Sequence, residues 1–147
     1  MVYSLDIVVA SLIVEKDKIL LIHHKKLNKW LPPGGHIEKN ETPDEAVKRE
    51  IKEEINSELE LISYKKPFDF KGNNLVFPFY INKHLIKEDH YHYCLYYLGK
   101  LKDNNIKIEK NEILNYKWIK EKELQNFISN QDLELLNLCK KAINFFS

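Results

Sequence analysis

Residues 34–57 read GGHIEKNETPDEAVKREIKEEINS. In this stretch two glycines precede a segment that carries the start and stop signals of a short helix. Thr42 is a good N-cap, Pro43 suits the first helical position, and Glu45 stands where a capping box has its glutamate. Asn56 tolerates the left-handed conformation in which many helices end. The sequence therefore predicts a helix with both ends encoded locally.

The predicted helix carries three carboxylates on one face, because Glu50, Glu53 and Glu54 stand at positions i, i+3 and i+4. A neighbouring stripe is apolar and should pack on the body of the domain: Val47, Ile51 and Ile55. Like charges at i and i+4 destabilise a helix by about 0.2–0.5 kcal/mol per pair, so the cluster needs compensation. Mg²⁺ can supply it, because this ion binds carboxylates together with substrate phosphates.

A solvated acidic face is the simpler interpretation, since acidic helices are common. The residues around the helix favour cation binding instead. The glycine pair lets the backbone approach a ligand closely. Arg49 lies next to Glu50 and within reach of Glu41 if the loop folds back, so we assign Arg49 to holding the loop on the helix.

The segment resembles the Nudix box, G-x5-E-x7-R-E-U-x-E-E-x-G-U, in which U is an apolar residue. Seven residues fall on this pattern in register: Gly35, Glu41, Arg49, Glu50, Ile51, Glu53 and Glu54. Asn56 replaces the second glycine of the motif, and asparagine is well suited to a left-handed C-cap. Ser57 replaces the last apolar residue, which should slightly weaken the packing of the next strand and leave the chemistry unaffected.

The resemblance implies an α+β fold of the Nudix type, an α/β/α sandwich around a curved mixed β-sheet. It also implies metal-dependent cleavage of a phosphoanhydride bond in a nucleoside diphosphate linked to another moiety, with Mg²⁺ or Mn²⁺ as cofactor. By resemblance Glu53 and Glu54 match the main metal ligands, and the carbonyl of Gly35 matches a further one. Glu50 matches a residue that ligates metal or accepts the proton of the attacking water.

A fourth catalytic candidate lies outside the box. Glu112 stands six positions before Trp118, and similar proteins often carry a glutamate there, on a loop that faces the metal helix. Glu112 is therefore a candidate metal ligand or general base. Glu109 competes for the same role, and either residue could be an ordinary solvated glutamate of the loop.

Three residues are candidates for substrate contact: Trp30, His36 and Arg49. Trp30 could stack on a base, although such a tryptophan is more often a packing anchor. His36, in the glycine loop, could reach a phosphate. His90 and His92 share a strand face, where we favour a role in lining the substrate pocket over a zinc site.

The 147 residues carry Lys+Arg 23 and Asp+Glu 22, a net charge of +1. This balance argues against binding of duplex DNA and against attraction to a membrane surface. The N-terminus lacks the pattern of a signal peptide or membrane span. Cys94 and Cys139 lie in apolar patterns without metal spacing, which predicts buried thiols and a cytoplasmic location.

The remaining sequence predicts one domain over residues 1–147, of α+β class with a mixed sheet. Strands are predicted at residues 3–14, 19–24, 59–64, 75–81, 90–98 and 112–119, with loops at 25–29 and 82–89. Helices are predicted after residue 119, at 120–127 and 130–145.

Nucleoside triphosphates, including oxidised ones, are the first substrate class that the resemblance implies, before sugar nucleotides and dinucleotide polyphosphates. One alternative is an RNA 5′-end pyrophosphohydrolase. Another is a non-catalytic nucleotide-binding regulator with the same fold, which the three retained glutamates argue against. The substrate, the number of metal ions, the general base and the oligomeric state, a homodimer included, stay open.

Overall fold

The computed structural model describes residues 3–147. Its strands are β1 (Ser4–Glu15), β2 (Lys18–His24), β3 (Lys29–Leu31), β4 (Gly34–His36), β5 (Leu59–Ile62), β6 (Tyr80–Lys87), β7 (His90–Leu101) and β8 (Ile113–Lys120). Its α-helices are α1 (Pro43–Ile55) and α2 (Leu133–Phe145), and 3₁₀ helices occupy Glu121–Asn126 and Asn130–Asp132. Residues 1 and 2, which the domain prediction includes, lie outside the described residues.

The strands form one mixed sheet in which β1 is central. The main order is β3-β2-β1-β7-β5, with β4 paired to β1, β6 to β7 and β8 to β2. β1 and β7 run parallel, so that Ser4 pairs with His90 and Ile13 with Gly99. The other pairings are antiparallel. This arrangement places β4 and the glycine pair beside the middle of β1.

The two faces of the sheet carry different helices, because side chains alternate along a strand. Val9 and Ile13 of β1 share a buried cluster with the predicted stripe of α1, Val47, Ile51 and Ile55. Leu12 and Val14 share the opposite cluster with residues of α2: Leu136, Leu138, Cys139, Ala142 and Ile143. The predicted α+β architecture, a mixed sheet between two helices, is confirmed.

Both predicted ends of α1 are confirmed. The backbone N–H of Glu45 donates to Oγ1 of Thr42 at 3.2 Å, and the N–H of Thr42 donates to Oε1 of Glu45 at 3.0 Å, which completes the capping box. Asn56 adopts the left-handed conformation with φ 53°, and its N–H donates to the carbonyl of Lys52. These caps hold α1 in a fixed register relative to the loop before it.

The prediction for residues 75–89 is wrong. The strand lies at Tyr80–Lys87, where a loop was predicted at 82–89, and most of the predicted strand 75–81 belongs instead to the connection between β5 and β6. Tyr80–Lys87 is mostly exposed, so its strand state depends on pairing with β7 and not on a buried apolar face. The connection is attached to α1, because the N–H of Val76 donates to Oδ2 of Asp44 at 2.9 Å.

Smaller differences concern short elements. The sequence analysis did not predict β3 and β4, and helix 120–127 is of the 3₁₀ type. Cys94 and Cys139 are free and buried, as predicted. Within residues 3–147, neither α1 nor α2 has the length and hydropathy of a membrane-spanning helix.

Candidate active site

The glycine pair lies directly against the carboxylates of α1. The N–H of Gly34 donates to Oε1 of Glu54 at 2.8 Å, across twenty residues of chain. A Cβ at Gly35 would collide with the carboxyl group of Glu50, and a Cβ at Gly34 would collide with the backbone of Val9. Only glycine fits either position without displacement, so the backbone of β4 and the carboxylates of α1 form one site.

The three clustered glutamates of α1, Glu50, Glu53 and Glu54, reach from the interior to solvent. Glu54 is 3% exposed, whereas the side chain of Glu50 is 15% exposed and that of Glu53 is 55% exposed. Burial raises the pKa of Glu54 to about 8; the charges of Glu50, Glu112 and Glu53 act in the same direction, and the Gly34 hydrogen bond opposes them. Burial also raises the pKa of Glu50. The ionised site therefore needs positive charge.

Arg49 is the cation that the structure places among these carboxylates. Its Nη1 lies 3.0 Å from Oε1 of Glu50 and 3.2 Å from Oε2 of Glu53. Its other nitrogens bind Glu41, and Nη2 also donates to the carbonyl of His36 at 2.9 Å. The hydrogen bond to Arg49 lowers the pKa of Glu41 to about 2. Arg49 thus holds the glycine loop on α1, the role assigned from the sequence.

Glu54 forms no ion pair within the described residues, since its carboxylate receives only the Gly34 N–H. An almost fully buried carboxylate without a cation is costly to ionise. The charges that act on it are those of the carboxylates of Glu50, Glu112 and Glu53, and carboxylate oxygens are ligands that hard divalent cations bind. A divalent cation therefore fits this set, and Glu50, Glu53 and Glu54 would hold it; the carbonyl of Gly35 stays a predicted ligand.

The loop between β7 and β8 brings Glu112 to the same site. The charge of Glu112 acts on both Glu50 and Glu54. Glu109 is engaged elsewhere: its N–H donates to the carbonyl of Glu54 at 2.8 Å, and its carboxylate accepts from the N–H of Asn111 at 3.0 Å. Of the two candidates, Glu112 is the one whose charge reaches the helix glutamates.

Trp30 and the His36 ring are not brought to the carboxylates. Trp30 stacks on His23 at a centroid distance of 4.9 Å, meets the edge of Phe127 at 5.3 Å, and packs against the cluster under α2. These are the contacts of a packing anchor. The His36 ring lies toward Asp6, with Nε2 3.4 Å from Oδ2, and only the His36 carbonyl faces Arg49.

Two functional contacts were missed in the sequence. The hydrogen bond from Gly34 to Glu54 could have been suspected from the pair of glycines, because the motif requires Gly35 and leaves Gly34 unexplained. Asp6, whose carboxylate lies 3.4 Å from the rings of His36 and His90, was passed over inside a strand that is otherwise mostly apolar.

A shallow cavity of about 580 Å³ lies along the loop that carries Glu109. Its lining comprises Ile106, Lys107, Ile108, Glu109, Lys110 and Tyr116. The N–H of Lys107 donates to the carbonyl of Ile55, so the cavity adjoins the C-terminal end of α1. Its volume lies within the roughly 300–1,000 Å³ of small-molecule sites, and its lining includes two lysines and an aromatic ring but none of the clustered glutamates of α1.

Comparison with known proteins agrees with this geometry. A model of the NUDIX domain matches residues 4–139. An RNA pyrophosphohydrolase of Zymomonas mobilis is 28% identical in an alignment of 133 residues that covers 82% of this chain and 82% of that one. A NUDIX family hydrolase of Clostridium perfringens is 30% identical, with TM-score 0.81 over 97% of this chain and 98% of that one. A MutT NUDIX hydrolase of Burkholderia pseudomallei shares the fold; it is 19% identical, with TM-score 0.72 over 91% of this chain and 97% of that one.

With its box residues assembled around one buried carboxylate, the chain belongs to the Nudix hydrolase family and is a pyrophosphohydrolase that acts on acid anhydrides.

Proposed function

We propose that the enzyme cleaves a phosphoanhydride bond of a nucleoside triphosphate, with Mg²⁺ or Mn²⁺ bound at α1. The observation that carries the proposal is the approach of Glu54 to Gly34, with the Glu50 carboxyl against Gly35. It joins a cation-binding carboxylate set to a backbone that has no side chain to obstruct a substrate.

In this proposal the helix glutamates and the carbonyl of Gly35 hold the divalent cation. When bound, the cation neutralises phosphate oxygens and makes a water more acidic. Glu112 accepts the proton of the attacking water, since it faces the helix glutamates from a separate loop. Arg49 stays a positioning residue that keeps Glu50 and Glu53 aimed at the site. Trp30 and the His36 ring have no substrate contact in this proposal.

The test is release of phosphate or pyrophosphate from a panel of nucleoside triphosphates in the presence of Mg²⁺. The double variant Glu53→Gln, Glu54→Gln should lose at least about a thousandfold in kcat/KM, because two cation-holding charges are removed. The matched control is Glu58→Gln, which neutralises an exposed glutamate paired only with Lys102 at 3.7 Å. Equal rates for the double variant and the control would refute the metal role of α1.

A second candidate is hydrolysis at the 5′ end of RNA. It is favoured by the similarity to the Zymomonas RNA pyrophosphohydrolase and by Lys107 and Lys110 in the cavity near the C-terminal end of α1. A 5′-triphosphorylated oligonucleotide placed in the same panel distinguishes the two. Hydrolysis of RNA that exceeds that of every mononucleotide, and binding that weakens steeply with salt, would favour the RNA substrate.

We further propose that residues 1–147 act as one domain and that the enzyme works in the cytoplasm. The two buried free thiols are compatible with a reducing compartment. Fractionation of cells that produce the chain, followed by detection with an antibody, tests the location directly.

A further inference from the structure

A second group of metal-binding side chains lies on the sheet face opposite α1. We name it the histidine cluster: Asp6 on β1, His36 on β4, His84 on β6, and His90 and His92 on β7. Asp6 pairs with His92 across β1 and β7, and His92 pairs with His84 across β7 and β6. Since Leu12 of β1 packs under α2, the even-numbered residue Asp6 lies on the α2 face of the same strand.

The geometry of three members is close to that of a ligand set. The ligand atoms of Asp6, His90 and His92 all lie within 4.8 Å of one another. Oδ2 of Asp6 lies 3.4 Å from Nε2 of His90, and 3.4 Å from Nε2 of His36 as well. The His90 and His92 rings meet edge to face at 5.1 Å. These side chains therefore converge on one point beside the carboxylate.

Ser4 orients the ring of His90. Its hydroxyl oxygen lies 2.7 Å from Nδ1 of His90 and 3.4 Å from the carbonyl of Asp89. When Nδ1 carries the hydrogen of the neutral ring, the lone pair of Nε2 faces the carboxylate of Asp6. Two electron pairs that face each other repel unless a positive charge lies between them. Metal-bound histidines commonly have such an orienting partner on the other nitrogen.

The separation of 3.4 Å favours a metal ion over a proton as that charge. A charge-assisted N–H···O bond to a carboxylate is shorter, about 2.7–2.9 Å. Two ligands of a tetrahedral zinc ion with bonds of about 2.0–2.1 Å are about 3.3 Å apart. The Asp6–His90 distance therefore fits a shared metal better than a direct ion pair.

We propose that Asp6, His90 and His92 bind a divalent transition-metal ion of the zinc type, at a site separate from the carboxylates of α1. Imidazole and carboxylate together suit Zn²⁺, whereas Mg²⁺ takes oxygen ligands only. The ion joins β1 to β7 at the start of their parallel pairing, where Ser4 pairs with His90. Bound metal then stabilises the fold at the ends of these two strands.

The test measures Zn²⁺ binding by competition with a chromophoric chelator, on protein without a histidine tag. The background is the Glu53→Gln, Glu54→Gln variant, which removes zinc binding at α1 and makes the result independent of the proposed catalytic function. We expect one Zn²⁺ per chain in this background. The added changes His90→Ala and His92→Ala should weaken binding by at least about tenfold.

Asp6→Asn is a second variant, in which the side chain keeps its shape. It should also weaken Zn²⁺ binding, and it supplies the test if the double histidine variant folds poorly. The control is His23→Gln, whose ring stacks on Trp30 away from the cluster and which should bind as the background does. NMR supplies a second readout, because the ring signals of His90 and His92 should shift on addition of Zn²⁺ while those of His23 do not. Equal affinity in the background and Asp6→Asn proteins, or no binding up to about 100 µM Zn²⁺, would overturn the proposal.

Discussion

The guanidinium of Arg49 and the carboxylate of Glu41 form a bidentate pair, with Nε 2.7 Å from Oε2 and Nη2 2.9 Å from Oε1. The same guanidinium reaches Glu50 and Glu53 on its own helix. One side chain therefore connects the glycine loop to the carboxylates that we propose as ligands of the cation.

Replacement of Arg49 by lysine should lower kcat/KM by about ten- to a hundredfold, because lysine cannot form the paired bonds and the glutamates lose their alignment. The activity assay with the preferred nucleotide measures this. Lys48→Gln, a change of an exposed neighbour on the same helix, is the control and should retain activity. Full activity of Arg49→Lys would show that the paired geometry is dispensable.

The Glu41–Arg49 pair should also contribute to stability in a pH-dependent way. The folded pKa of Glu41, about 2, lies below its ordinary value of 4.5, so the contribution is present above pH 4.5. It is lost as the pH falls from 4.5 to 2, where the carboxylate becomes protonated. Thermal melts of wild type and Glu41→Gln should differ at pH 6 and converge near pH 2. A constant difference over this range would contradict the assignment.

Alanine substitutions at the two glycines should have different effects. Gly35→Ala meets the end of a movable side chain, that of Glu50, so the protein should fold with reduced activity. Gly34→Ala meets the backbone of Val9 and Ala10, which cannot move aside without disrupting β1, so the melting temperature should fall. Melting curves and kcat/KM for both variants test this difference. If Gly35→Ala failed to fold while Gly34→Ala folded normally, the prediction would be contradicted.

Mg²⁺ should raise the melting temperature of the free enzyme, because it offsets repulsion among Glu50, Glu53 and Glu54. At ten times its Kd, a ligand that binds only the folded state adds about 1.4 kcal/mol. For a chain of this size that corresponds to a rise of about 3–6 °C. Differential scanning fluorimetry with and without Mg²⁺ measures the shift. The Glu53→Gln, Glu54→Gln variant should show none, and a shift of equal size there would place the ion elsewhere.

Asn56 offers a test of the helix end. Its φ of 53° costs an alanine about 1–2 kcal/mol, whereas glycine adopts this conformation freely. Asn56→Ala should therefore lower the free energy of unfolding, and Asn56→Gly should preserve it. Denaturant unfolding of both variants provides the comparison. An alanine variant as stable as wild type would mean that the helix end can rearrange.

α1 could be predicted from the sequence because the residues that define its ends and its carboxylate face lie close together in the chain. The capping box and the left-handed end at Asn56 each depend on residues within one turn, and the carboxylate face depends only on helical spacing. The approach of Arg49 to Glu41 was also foreseen, because the motif brings both residues to one loop and helix. Local interactions of this kind are written in contiguous sequence and need no knowledge of the rest of the fold.

β6 shows where such reasoning fails. Tyr80–Lys87 lacks a buried alternating pattern, since it lies at the edge of the sheet and most of its side chains are exposed. Its pairing with β7 through the turn at Asp89 (φ 55°) makes it a strand. β4 was missed for a related reason, because glycine has low strand propensity and Gly34–His36 pairs only through its backbone with β1. The choice of Glu112 over Glu109 likewise required the loop's tertiary position.

The parallel pairing of β1 with β7 has a consequence for how the chain is made. The partner residues Ser4 and His90 are separated by 86 positions, so a ribosome completes β1 long before β7 exists. Until then one edge of a strand that contains Leu12, Ile13 and Val14, all fully buried at the end of folding, remains open to other chains. Long-range parallel pairing is also slow, because a large loop must close first. The nascent polypeptide therefore passes through an aggregation-prone interval, and the yield of native enzyme should rise when chaperones are abundant.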